Sequence, residues 1–230
     1  MFLREIQEWL TEEKMDTTWV KSTDGINTAD LVITSGVNQT KTAMWATANN
    51  VPCIVLIQHW KEIYDPVRRI IDDKFFDLIG TDAILACCSM FLRKEINDVC
   101  NVYIPRILYP VGNYVKGYKW KGGDYLFVPN ISQDKGGIIF DDLIYSGIPL
   151  VGISHSDSKI EKLIKKKTKT VNNVLITDKM DQKHVYELME NARAVLCIHD
   201  VEETFCRAAW EAMCIGVPVI SKNNGNFPYL

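Results

Sequence analysis

Apolar positions along this chain follow two periods that alternate with one another. Phe2, Ile6, Trp9 and Leu10 stand at helical spacing, which predicts an amphipathic helix over about residues 2–14. A short strand is expected at Thr18–Lys21. Asp30-Leu-Val-Ile-Thr-Ser-Gly36 then reads as a buried strand ending in a glycine turn, and Thr40–Ala48 as the helix that leaves it. Val51-Pro-Cys-Ile-Val-Leu-Ile57 is the next apolar strand, Pro66–Ile79 the next helix and Ala83–Ala86 the next strand. Strands alternating with helices predict right-handed crossovers onto a mostly parallel sheet.

The rhythm breaks at Tyr109–Gly123, a stretch with adjacent glycines, a proline, several basic residues and little periodicity, as expected of a linker. It resumes at Asp124 with strands at Tyr125–Val128, Leu150–Ile153, Val174–Ile176, Ala194–Ile198 and Pro218–Ser221. Helices are predicted between them at Ile138–Tyr145, Lys159–Lys166, Lys183–Asn191 and Thr204–Cys214. Five strands with four intervening helices make a complete doubly wound unit. The chain therefore divides into residues 1–112, a linker at 113–123, and residues 124–230. Two α/β units in series predict a cleft faced by the carboxyl ends of both sheets, where ligands of such folds bind.

Charge and composition narrow the picture. Twenty-six basic and 29 acidic residues give a net charge of −3, so no overall basic field draws a polyanion. The longest apolar runs, Val51–Ile57 and Ala83–Leu92, fall far short of the ~18–20 residues that cross a bilayer. Charges interrupt the first eight residues where a signal core would have to lie, which reads as a cytoplasmic terminus. The seven cysteines, mostly inside apolar runs, read as reduced core thiols. Zinc-type spacings are missing and the four histidines are scattered, so no metal site is expected.

The richest chemistry lies in Glu202-Glu203-Thr-Phe-Cys-Arg-Ala-Ala-Trp-Glu211-Ala-Met-Cys-Ile-Gly216-Val-Pro218. A carboxylate, a turn and a helix follow a buried strand directly. A helix starting near Thr204, with its hydroxyl as cap, would present free backbone N–H groups and a dipole end suited to a phosphate. Glu203 stands at that entrance and Glu211 lies a little over two turns on, a pair suited to sugar hydroxyls. Thr177 and Asp178, after the strand Val174–Ile176, are placed to touch a nucleotide base.

The stretch Glu203–Pro228 resembles the signature of the retaining nucleotide-sugar glycosyltransferases of the GT-B fold, glycosyltransferase family 4 in particular: Glu, seven residues, Glu, Ala-Met, then Gly-x-Pro-Val. The likeness extends to Ala29-Asp-Leu-Val-Ile33, to the strand end Gln58-His59-Trp60, to Leu108-Tyr-Pro-Val-Gly112 and to Tyr125–Gly136. It implies two Rossmann-like parallel-sheet domains facing across a cleft. It also implies transfer of a sugar from a nucleoside-diphosphate sugar, with UDP as carrier, to a glycan or glycoconjugate with retention and without metal or other cofactor. By the same resemblance Glu203 and His59 are catalytic. Lys135, Gly136, Asn130, Thr204, Phe205, Cys206, Glu211 and Thr177 hold the donor, and Ser35, Gly36, Gln58 and Trp60 lie on the acceptor side.

Departures qualify the likeness. Asn130 stands where the family has an arginine, leaving Lys135 as the cation for the diphosphate, and Cys206 stands where the family has glycine. The chain opens on a helix and stops at Leu230, so it reads as a minimal version trimmed at both ends, of the kind a virus or phage would carry into its host cytoplasm. No Asp-x-Asp occurs, so preorganised lysine and helix amides are expected to neutralise the leaving diphosphate. The basic stretches Lys116–Lys121 and Lys165–Lys169 read as a linker and a solvated helix end. The alternative is a surface for nucleic acid, with a hydroxymethylated DNA base as acceptor. A non-catalytic nucleotide- or partner-binding remnant is the further alternative.

Overall fold

The computed structural model describes residues 2–18, 20, 23, 26, 28–59, 64–65, 70–71, 73–110 and 115–230. They form two compact units divided between Pro110 and Val111.

In the first unit a helix, α1 (Phe2–Glu12), precedes a parallel sheet of β1 (Val32–Thr34), β2 (Cys53–Ile57), β5 (Ile84–Cys87) and β6 (Arg106–Ile107), in that spatial order. Helix α2 (Gln39–Ala48) connects β1 to β2, and α4 (Met90–Cys100) connects β5 to β6. Between β2 and β5 lie a two-stranded antiparallel pair, β3 (Tyr64–Asp65) with β4 (Ile70–Ile71), and helix α3 (Asp73–Ile79). Of the helix expected at Pro66–Ile79, the described residues place Asp73–Ile79 in α3 and Ile70–Ile71 in β4. Residues 66–69 and 72 lie outside the described residues, as do two positions of the strand expected at Thr18–Lys21, whose described residues Thr18 and Val20 are not in a strand. Helix α4 and strand β6 have no counterpart in the periodicity. The polar run Arg93-Lys-Glu95 masks the apolar stripe of Phe91, Leu92 and Ile96, all buried. Its start is fixed by Ser89, whose Oγ accepts from the Leu92 N–H at 3.1 Å.

The second unit carries five parallel strands: β7 (Leu126–Val128), β8 (Leu150–Ser154), β9 (Val174–Asp178), β10 (Ala194–Cys197) and β11 (Val219–Ser221). Their spatial order is β11-β10-β7-β8-β9. Helices α5 (Gly137–Leu143), α6 (Lys159–Lys167), α7 (Gln182–Glu190) and α8 (Arg207–Ile215) make the crossovers. Because side chains alternate along a strand, the sheet feeds two cores. Phe127, Val151, Ile153, Val195 and Cys197 face Tyr186 and Met189 of α7 and Ala209, Ala212 and Ile215 of α8. Val128, Leu150 and Leu196 join Ile131, Phe140, Ile144 and Ile164 in the other core. Burial on both faces is why the inner strands β7, β8 and β10 read as continuous apolar runs rather than alternating ones.

Two local devices tie the frame. Glu161 is buried, and its carboxylate accepts the N–H of His155 at 3.0 Å, the N–H of Ser158 at 3.3 Å and the hydroxyls of Ser156 and Ser158, completing the capping box that starts α6. Burial works to raise this carboxyl, but the hydrogen bonds outweigh it and hold it below its ordinary value. The described part of the expected linker is docked onto the second unit. Trp120 donates its N–H to the Ile215 carbonyl at 2.9 Å and its Nε1–H to Ala192 O at 2.8 Å, and the Tyr118 ring meets Tyr186 edge-on at 5.1 Å. Its aromatics are pinned by these contacts while Trp120 stays 45% exposed, an anchoring that a sequence reading of glycine and lysine content does not register.

Candidate functional site

The order β11-β10-β7-β8-β9 contains one switch point. From β7 the chain builds outward through β8 and β9, then returns to lay β10 and β11 on the other side. β7 and β10 pair only at Leu126–Ala194 and Phe127–Val195, and beyond them their carboxyl ends lead into different loops. Such a divergence makes a crevice in a doubly wound sheet. Here its walls are the loop 129–136 after β7 and the loop 198–206 after β10. The two loops are joined by a backbone bond from the Asp200 N–H to the Asp134 carbonyl, 3.0 Å.

Each wall has a defined shape. Asn130 Oδ1 accepts the Ser132 N–H at 2.8 Å and so turns the first loop, a positioning role where the resemblance implies a donor contact. A short 3-10 turn, Gln133–Lys135, leads to Gly136 at φ 121°. At Gly137 a Cβ would stand 2.4 Å from the Ile131 carbonyl oxygen and 2.8 Å from that of Ser132, so only glycine lets α5 begin there. On the other wall, a Cβ at Gly225 (φ 56°) would meet Glu203 N and O at 2.6 Å. That glycine lets residues 224–226 close under the Glu203 loop, where the Asn226 N–H donates to Glu203 O at 2.8 Å.

Across the crevice, Lys135 Nζ forms an ion pair with Glu203 Oε1. The same oxygen takes a 2.9 Å hydrogen bond from His199 Nδ1. Burial, then the charge of Lys135, pushes the His199 ring down to about 4, so the imidazole is neutral and its contact with Glu203 is a hydrogen bond rather than an ion pair. Burial also lowers Lys135. The arrangement is a half-buried ammonium whose present partner is a carboxylate oriented by a neutral histidine. An incoming anion of higher charge competes directly for that ammonium.

The structure corrects the start of α8. The helix begins at Arg207, with Cys206 as the residue before it at φ 61°, and Thr204 and Phe205 belong to the approach. The turn needs a left-handed residue just ahead of the helix, the conformation a glycine adopts without strain. Cys206 is buried beside Cys197. A hydrogen bond to Cys197, with burial, holds its thiol well above the ordinary range. Cys197 Sγ, a ring nitrogen of His199 and Cys206 Sγ lie within 4.8 Å of one another, all three residues buried. The sequence reading passed over Cys197 and His199. The i,i+4 spacing of His199 and Glu203 after a buried strand was the available signal.

Glu211 is not beside Glu203. It is 4% exposed and bonded to Arg207 Nη2 at 3.0 Å and Gln182 Nε2 at 3.1 Å, so one helical turn of α8 and the start of α7 fix its two oxygens. Thr177, at the carboxyl end of β9, carries a buried hydroxyl with no hydrogen-bond partner among the described residues. In the first unit the structure brings Ser35 and Gln58 together, Gln58 Nε2 donating to Ser35 Oγ at 2.8 Å, at the carboxyl ends of β1 and β2. Gly36 follows at φ 80° as the entry to α2. His59 succeeds Gln58 just past β2, and Trp60 lies outside the described residues.

Residues 148–230 match the family model of glycosyl transferases group 1. The match contains Glu203, Cys206 and Glu211 and starts after Lys135. Solved structures of glycosyltransferases share the fold, and the GT-B recognition made from Glu203–Pro228 agrees with them. HepE from Anabaena, in complex with UDP and glucose, superposes with a TM-score of 0.68 at 14% identity over 97% of this chain and 72% of that one. The catalytic domain of starch synthase IV from Arabidopsis thaliana, bound to ADP and acarbose, gives 0.62 at 12% over 98% and 60%. AviGT4, a glycosyltransferase involved in avilamycin A biosynthesis, gives 0.53 at 17% over 83% and 60%. The chain thus spans about 60% of the length of AviGT4 and of the starch synthase domain. No curated protein matches the sequence. No helix among the described residues is long and apolar enough to cross a membrane.

The two basic stretches are partly consumed internally. Lys165 pairs with Asp178 at 2.9 Å, Lys167 with Asp141 at 2.6 Å, and Lys121 with Glu190. With Lys121, Lys165 and Lys167 engaged by carboxylates of the same unit, these stretches are held in part by internal ion pairs.

Proposed function

We propose that this protein moves a sugar from a nucleoside-diphosphate sugar to a hydroxyl of a glycan or glycoconjugate, with retention and without a metal at the diphosphate. The observation that carries the reading is the Lys135–Glu203–His199 set at the switch point, held by loops that meet beside the start of α8. The donor's diphosphate takes Lys135 from Glu203, and the amino end of α8, with the positive end of its helix dipole, lies beside the loop that carries Glu203. Glu203, released from the ammonium but still held by His199, is then the carboxylate next to the transferring sugar. Stabilisation of the departing diphosphate by fixed donors is the main catalytic contribution. The nucleotides in the HepE and starch synthase structures support a UDP- or ADP-class carrier. Ser35, Gln58 and His59 are the acceptor-side residues of this reading.

The test is incubation with a panel of nucleotide sugars, following release of nucleoside diphosphate with and without glycan acceptors. Slow hydrolysis of one donor, accelerated by an acceptor, is expected. A thermal shift with UDP or ADP and no turnover across the panel would reduce the protein to a nucleotide binder, and neither response would remove the donor site.

A further inference from the structure

We propose that Cys197, His199 and Cys206 form a binding site for one soft divalent ion of the zinc class, under the loop that carries Glu203. The three ligand atoms already lie within 4.8 Å of one another. A tetrahedral zinc ion at ordinary bond lengths holds two sulfurs about 3.8 Å apart and a sulfur and a nitrogen about 3.6 Å apart. Closing to that geometry takes shifts of about an ångström or less, which side-chain torsions supply. The backbone is set for it. Cys197 is the last residue of the fully buried strand β10, and Cys206 is turned in by its left-handed φ of 61° at the head of α8.

The surroundings complete the case. Glu203 Oε1 accepts from His199 Nδ1 at 2.9 Å. A carboxylate holding one ring nitrogen of a metal-binding histidine is the usual outer-shell arrangement, and it leaves Nε2 as the ligating atom. Each thiol gives up its proton as its sulfur bonds the ion, so a divalent cation with two thiolates adds no net charge to a buried place. The Lys135–Glu203 pair beside it is likewise neutral. Three protein ligands leave a fourth position for water. Two sulfurs and an imidazole select zinc over magnesium or calcium, which prefer oxygen. The site does not depend on whether sugar is transferred. It would fix the loop from within rather than touch the diphosphate.

The experiment is a titration of the reduced, metal-free full chain with Co²⁺, thiols counted beforehand. One Co²⁺ per chain should produce thiolate-to-metal charge transfer in the near ultraviolet and intense visible ligand-field bands, bleached by one equivalent of Zn²⁺ and indifferent to excess Mg²⁺. Cys206→Gly is the informative variant, because glycine takes φ 61° without strain and the chain stays folded, as circular dichroism would verify. It should weaken Co²⁺ binding by more than the ~10–100-fold that loss of an outer-shell partner costs. Cys197→Ser and His199→Asn should do the same, and Cys214→Ser, at an exposed thiol, should bind as the parent does. Absence of the charge-transfer band in the reduced parent, or its survival in the folded Cys206→Gly variant, overturns the proposal.

Discussion

Replacing Lys135 by methionine keeps an unbranched stem of nearly the same length and removes the ammonium, and the structure sets the size of the effect. Lys135 is the ammonium facing the crevice at the switch point, and a charge-assisted bond of this kind is worth about 1.5–3 kcal/mol. Its loss should therefore weaken UDP or another cognate nucleoside diphosphate by ~10- to ~150-fold. Glu203→Gln should act in the opposite direction on affinity. In the free protein Glu203 competes for the ammonium, so a neutral amide releases Lys135 to the diphosphate and binding holds or tightens while turnover falls. The double variant should bind like Lys135→Met alone, because Glu203 influences the nucleotide through Lys135; non-additivity of this kind marks a direct contact. Isothermal titration of the four proteins at low salt, with donor hydrolysis measured in parallel, gives all the terms. Equal weakening by Lys135→Met and Glu203→Gln, or no change in either, would refute the competition argument.

Three further outcomes are expected. Gly137→Ala should cost about 1–3 kcal/mol in thermal or urea unfolding, since the new methyl group meets two backbone carbonyls rather than yielding side chains. Cys206→Gly should leave stability within about 1 kcal/mol of the parent, relief of the left-handed strain offsetting the lost sulfur contacts, as read by urea midpoints. Glu161→Gln should destabilise by about 1–3 kcal/mol at neutral pH, as an amide cannot satisfy the same ring of donors. Because the folded carboxyl lies below its unfolded value near 4.5, its stabilising contribution is present above that value and is lost as pH falls through the folded one. The gap between parent and variant in an acid titration of stability should close on that limb and stay constant above it.

Much of this was legible in the one-dimensional pattern. The inner strands of the second unit, β7, β8 and β10, announce themselves because they are buried on both faces, and Phe127 beside Val128 or Val195 beside Leu196 makes a run that needs no partner to be recognised. Glu203 was legible through its company, the helix and the Gly216-Val-Pro218 turn that follow it. Less visible was anything decided by a contact across the sheet. That Lys135 spends its charge on Glu203, that Glu211 reaches Gln182 of α7, and that Cys197 meets Cys206 are facts of tertiary packing, which periodicity does not encode. The start of α8 was misplaced because Thr204 has a capping hydroxyl, whereas the backbone turns at Cys206, a residue with no local propensity for that conformation. Helix α4 was missed because its charged outer face dilutes the apolar stripe.

The central position of β7 has a consequence for how the protein can be divided. The recognisable family sequence opens at residue 148, two residues before β8, and a fragment cut at that boundary would retain Glu203, His199 and both sulfur ligands. It would nevertheless keep β8 with β9 and β10 with β11 as two separate pairs, since the strand that hydrogen-bonds to both is β7. The same cut removes Lys135. The smallest inheritable piece of this molecule is therefore larger than its most recognisable one: it must reach back at least to Leu126, where the keystone strand and the ammonium travel together.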